Sequence, residues 1–118
     1  MTLIYKKKQD SLIVYLEGSL NFVTSGEIEK EIFDLLLNNK FNNLIISLEK
    51  VDYLSSPGLR IFISILRIIT ENNKILVLYG LTDFSIKLFN LLGITNMFNI
   101  FLTEEEAFDF IDRGQKEK

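Results

Sequence analysis

The chain contains neither cysteine nor histidine, and each absence closes off a branch of chemistry. Without Cys there is no disulfide, no thiolate nucleophile and no thiolate ligand for a metal. Without His there is no Ser-His triad, and the commonest general base and zinc ligand are missing. Tryptophan is absent as well, and proline occurs once, at Pro57. Long hydrophobic runs are also lacking. The most apolar stretch, Ile61 to Ile69, is too short to cross a bilayer, and Arg60 at its edge and Arg67 within it interrupt it. Lys6 to Asp10 follow only a few apolar residues, so the N-terminus shows no signal-peptide pattern. A net charge of −3 gives no general attraction to nucleic acid or to an anionic membrane. The expectation is a soluble, non-enzymatic protein of a reducing cytoplasm, with no cofactor and no metal.

What is present is the composition of a globular chain. Of 118 residues, 47% are hydrophobic and 25% charged, enough to close one core. One domain over residues 1–118 is expected, with about 113–118 as a frayed tail. Leu12 to Leu16 is a short β-branched run stopped by Glu17-Gly18, and Leu3 to Tyr5 can pair with it as a hairpin. The lysines Lys6 to Lys8 then belong to a hairpin turn or a solvated edge strand. Thr24 and Glu27 have capping-box spacing before a helix face of Ile28, Ile32, Leu35 and Leu36. Leu44 to Leu48 and Ile75 to Tyr79 are apolar throughout, the pattern of strands covered on both faces. A helix is expected from Pro57 to about Thr70, ended by Asn72-Asn73. Another follows Thr82 or Asp83 and closes at Gly93; a short strand is expected over Phe98 to Leu102, and Thr103 with Glu106 opens a last helix. Strands alternating with helices predict an α/β fold: a mixed, mostly parallel sheet of four to five strands flanked by about four helices.

The segment Val51-Asp52-Tyr53-Leu54-Ser55-Ser56-Pro57-Gly58-Leu59-Arg60 stands out. It joins an expected strand to an expected helix, at the strand's carboxyl end, where functional loops of open sheets gather. Pro57 suits the first helical position, which makes Ser56 the expected N-cap. Such a hydroxyl lies near the unpaired first-turn N–H groups and the positive end of the helix dipole, a favourable place for a phosphate. Ser55 is then a loop hydroxyl bonded to backbone, and Asp52 a turn residue.

These residues, with Glu17-Gly18-Ser19-Leu20, Leu91-Leu92-Gly93-Ile94 and Thr103 to Ala107, resemble the STAS domain of bacterial anti-sigma-factor antagonists in order and spacing. The resemblance implies a binding switch. An unmodified antagonist binds an anti-sigma factor, commonly a serine kinase, and so frees the sigma factor. Phosphorylation of the serine two residues before the helix glycine ends the interaction, and a phosphatase restores it. With Gly58 as that glycine, the acceptor is Ser56, and Ser55 is the runner-up. Asn21, Tyr53, Leu54, Ser55, Ser56, Pro57, Gly58 and Arg60 form the implied partner surface. The chain departs from the family pattern where Ser55, Ser47 and Asn21 replace frequent aspartates and Pro57 replaces a small residue. These changes remove negative charge around Ser56, while Arg60 lies one helical turn beyond it.

Other readings accompany this one. Ser56 as a plain cap needs no partner at all. A constitutive STAS scaffold or transport subunit fits the missing carboxylates, and an enzyme of receiver-like fold lacks its aspartate cluster. Glu104 to Glu106 are ordinary partners of a helix dipole rather than a metal site. The helix after Pro57 carries more apolar residues than one face can hold, which predicts burial on two sides or an exposed partner patch. Oligomeric state is left open.

Overall fold

A computed structural model describes residues 1–116. The chain order is β1 (Thr2–Lys8), β2 (Ser11–Leu20), α1 (Phe22–Asn38), β3 (Asn43–Leu54), α2 (Ser56–Glu71), β4 (Ile75–Tyr79), α3 (Asp83–Leu91), a 3₁₀ turn (Thr95–Met97), β5 (Asn99–Phe101) and α4 (Glu104–Lys116). The strands form one sheet in the order β1-β2-β3-β4-β5. β1 is antiparallel to β2, and every later neighbour is parallel. This is the expected α/β architecture.

Period-two alternation sends the residues of β2, β3 and β4 to two different cores. Leu12, Val14 and Leu16 of β2, Leu44, Ile46 and Leu48 of β3, and Leu76 and Leu78 of β4 pack against α1, α2 and α3. Ile13, Ile45, Val77 and Tyr79 face the other way, against Ala107 and Ile111 of α4. Burial on both faces explains why β3 and β4 read as unbroken apolar runs. α2 packs on one of these faces. Leu59, Ile61, Phe62, Ile65 and Ile69 are buried, and Ile63 and Leu66 pack on the same core. All of these lie in one core, and no α2 residue is among the exposed large hydrophobics, so the expected exposed patch on α2 is not seen.

Several boundaries differ from the sequence expectation. β1 runs through all three lysines to Lys8, so Gln9-Asp10 alone make the turn and the lysines sit on the edge strand. β2 does not stop at Gly18. There the backbone takes φ +114°, and a bulge lets pairing with β3 continue to Leu20↔Leu54. β3 therefore reaches Leu54, and Asp52 lies in a strand, not a turn. α1 starts earlier than Thr24. Asn21 is its N-cap, accepting from the N–H groups of Val23 and Thr24, and Thr24 Oγ1 accepts from Asn21 N–H. β5 is limited to Asn99–Phe101. α3 closes as expected after Leu92, with Gly93 N–H donating to Asn90 O and Ile94 N–H to Phe89 O. α4 continues to Lys116, past the position near 113 where the helix was expected to end; positions 117–118 lie outside the described residues.

Candidate functional site

The carboxyl ends of β2 and β3 are tied together at one carbonyl. Leu20 O accepts from the backbone N–H of Ser55 at 3.0 Å and from Ser55 Oγ at 3.3 Å. Gly58 packs on the same group, where a Cβ would sit 2.3 Å from Leu20 O. Only glycine permits that approach, since a side chain would push the start of α2 off the end of β2.

Ser55, not Ser56, is the N-cap of α2. Its Oγ accepts from Gly58 N–H at 3.0 Å, and its backbone is extended at φ −88°, ψ 166°. The cap thus lies one residue earlier than Pro57 suggested, because proline is equally harmless at the second helical position. Ser56 becomes the first helical residue, and it is exposed. Among the described residues no side-chain hydrogen bond holds it. The expected cradle of first-turn amides is also smaller than the sequence suggested. Pro57 has no N–H and that of Gly58 is taken by Ser55, which leaves the amide of Ser56 itself.

Of the residues expected on the partner surface, Tyr53, Ser56, Pro57 and Arg60 are exposed, and Asn21 and Ser55 are half-buried caps of adjacent helices. Leu54 and Gly58 are buried and offer no surface: Leu54 belongs to the main core, and Gly58 is pressed on Leu20. Three residues not anticipated complete the site. Phe22 and Val23 are about four-fifths exposed, and Phe84, 59% exposed, stacks on Tyr53 with centroids 6.4 Å apart. All three follow the carboxyl ends of parallel strands, in the first turns of α1 and α3. The available signal was their phase, since each falls outside the stripe its helix buries (Ser25, Ile28, Ile32; Ser85, Phe89). The result is an apolar rim beside a free hydroxyl. Asp52 contributes one carboxylate, accepting from Ser19 Oγ at 2.8 Å.

The remaining replaced aspartate position, Ser47, is buried on the α4 face of β3. Glu104 lies on that face as well, where it accepts from Tyr15 Oη at 3.3 Å and Tyr79 Oη at 3.0 Å. Glu104 therefore fastens α4 to the sheet in addition to complementing its dipole.

The family model of the STAS domain matches residues 2–107. The chain belongs to the STAS-domain family. Among proteins of that family, it is similar to the anti-sigma-B factor antagonist of Staphylococcus aureus (strain NCTC 8325 / PS 47), 28% identical over 87 residues, which span 74% of this chain and 80% of the relative. The anti-sigma-B factor antagonist of Listeria monocytogenes serovar 1/2a is 26% identical over 103 residues, covering 87% and 90% of the two chains. In fold, the chain matches the anti-sigma factor antagonist SpoIIAA in its unphosphorylated form, with a TM-score of 0.79, 19% identity, and 96% and 97% coverage. The phosphorylated form of SpoIIAA from Bacillus gives a TM-score of 0.72 at 18% identity, with 93% and 99% covered. Among the described residues, no helix of this STAS protein is long and apolar enough to cross a membrane.

Proposed function

We propose that this STAS protein is a cytoplasmic, non-enzymatic anti-sigma-factor antagonist. Its unmodified form binds an anti-sigma factor with serine-kinase activity and so releases a sigma factor; phosphorylation of Ser56 ends the interaction, and a phosphatase reverses it. Support for the antagonist role comes from the relatives named above. The observation that carries the choice of site is the unequal state of two adjacent hydroxyls. Ser55 is committed to Gly58 N–H and Leu20 O, whereas Ser56 is exposed.

The surroundings of Ser56 favour control by charge. Tyr53, Phe84, Phe22 and Val23 make an apolar rim whose docking gains free energy from lost water contact. A phosphate adds a charge of roughly −1.5 to −2, which a docking partner must strip of water or leave unmatched. Modification therefore blocks binding without refolding the domain. Arg60, one turn along α2, is the nearest cation in sequence to the phosphate, and with few amides free it carries most of the local compensation.

Intact-mass measurement of the protein from its native cells, with fragmentation across Tyr53 to Arg60, tests this reading. Phosphate on Ser56 is expected under at least one growth condition, together with loss of anti-sigma-factor binding by Ser56→Asp and retention by Ser56→Ala. Phosphate on Ser55 moves the acceptor by one residue. A chain unmodified under every condition leaves the constitutive scaffold as the reading.

A further inference from the structure

At the opposite end of α2 from Ser56, roughly 24 Å away along a 16-residue helix, the carboxyl-terminal turns of α1 and α2 diverge around a cavity of about 290 Å³. Its walls are Phe33, Leu36, Leu37, Phe41, Ile68 and Ile69. Leu37 lines it while remaining 84% exposed, so an aliphatic side chain edges the mouth. Cavities of this kind, apolar with one or two placed polar groups, are the usual form of a small-molecule site.

The placed polar group is Lys74. It is half-buried, and its Nζ donates to Phe41 O at 2.7 Å and lies 3.9 Å from the centroid of the Phe41 ring. No carboxylate lines the cavity, and Lys74 is the one cation among its lining residues. Nor do the helix ends use up its charge. Asn38 and Asn39 side-chain amides donate to Asp34 O and Leu35 O at the end of α1. Asn72 Nδ2 and the backbone N–H of Lys74 cover Ile68 O and Ile69 O at the end of α2. Of the end carbonyls, Leu35 O of α1 and Ile68 O and Ile69 O of α2 are therefore hydrogen-bonded by neutral donors.

We propose that this cavity binds a free, monomeric medium-chain alkyl carboxylate, its chain between α1 and α2 and its carboxylate on Lys74. The charge sign comes from the lone cation at the mouth and the chain from the walls. The site is independent of the Ser56 switch, so its failure and that of the antagonist reading are separable.

Titration of the full chain with decanoate, below its aggregation concentration and followed through the methyl resonances of Leu36, Leu37 and Ile68, tests the proposal. Saturable shifts confined to those residues are expected. Octanoate should bind weaker by roughly fourfold per missing methylene, the worth of one buried CH₂. Decanol should bind at least tenfold more weakly than decanoate. Lys74→Met should erase that difference and Lys74→Arg should keep it, with thermal melts showing both variants folded. Equal binding of decanol or decylammonium, or the absence of saturable shifts, overturns the proposal. Shifts spread over the whole protein also overturn it, and so does binding seen only with anionic phosphatidylglycerol vesicles.

Discussion

Ser55 and Ser56 are adjacent and chemically identical, and the fold gives them different work. Ser55 Oγ satisfies Gly58 N–H at the start of α2 and leans on Leu20 O, so its removal strips the helix of its cap. Ser55→Ala should cost about 1 kcal/mol, read as a lower denaturant midpoint and a melting temperature down by about 4 °C or more. Ser56→Ala should change stability by less than about 0.5 kcal/mol, because an exposed first-turn hydroxyl has no structural partner to lose. A reversed order would put the cap back on Ser56. The pair also shows where a sequence runs out. Pro57 fixes the start of a helix only to within one position, since the first and second helical residues both leave their N–H unused. The hydrogen bond that decides between them comes from Gly58, and Gly58 is placed by its contact with a strand 38 residues earlier. Long-range packing, not local propensity, sets the last residue of precision.

At the scale of elements, the attachment of α4 differs from that of the other helices. α1, α2 and α3 share one large apolar core, whereas α4 alone covers the opposite face through Ala107 and Ile111 and a polar clasp of Tyr15, Tyr79 and Glu104. Burial raises the pKa of Tyr79 well above its ordinary value of 10.0, and the neighbouring Glu104 carboxylate, which accepts its hydrogen bond, raises it further. The folded state therefore keeps the phenol proton after the unfolded chain has lost it. Stability from this source is intact below about pH 10 and declines as pH rises above it, because the unfolded state then binds fewer protons than the native one. In urea titrations from pH 8 to 11, the decline should be shallower in Tyr79→Phe than in the parent; parallel curves would remove Tyr79 as the cause. Tyr79→Phe should also cost about 1 kcal/mol at neutral pH through the lost hydrogen bond. The order of elements was legible from apolar runs punctuated by Gly, Asn and Thr, and so was the double burial of β3 and β4. The clasp was not, because Tyr15, Tyr79 and Glu104 are far apart in the chain and meet only through the sheet register, with Tyr15 opposite Ser47 and Ser47 opposite Tyr79.

For the molecule as a whole, the parallel strands β2, β3 and β4 deliver three helix starts to one end of the sheet, and a group of apolar side chains remains in water there. Phe22, Val23, Tyr53 and Phe84 are exposed there although four helices and two cores were available to bury them. Of these only Tyr53 was expected at the surface; the register of α1 and α3 turns Phe22, Val23 and Phe84 outward, and the same packing buries Leu54, which the motif had suggested as surface. Side chains already in water contribute little to folding, so Phe22→Ser with Phe84→Ser should leave the melting temperature nearly unchanged. If this end docks an anti-sigma factor, those two rings are its aromatic anchors, and central aromatic anchors carry about 2 kcal/mol or more each. The double variant should then weaken binding by about 4 kcal/mol, roughly several hundredfold. The loss should persist at high salt, because an apolar contact is not screened, while the effect of phosphate on Ser56 should shrink as ionic strength rises. Titration of the variant and of the phosphorylated parent against the anti-sigma factor at low and high salt separates the two contributions. Unchanged affinity in a folded double variant would place the partner on another face and leave the exposed rings without a function.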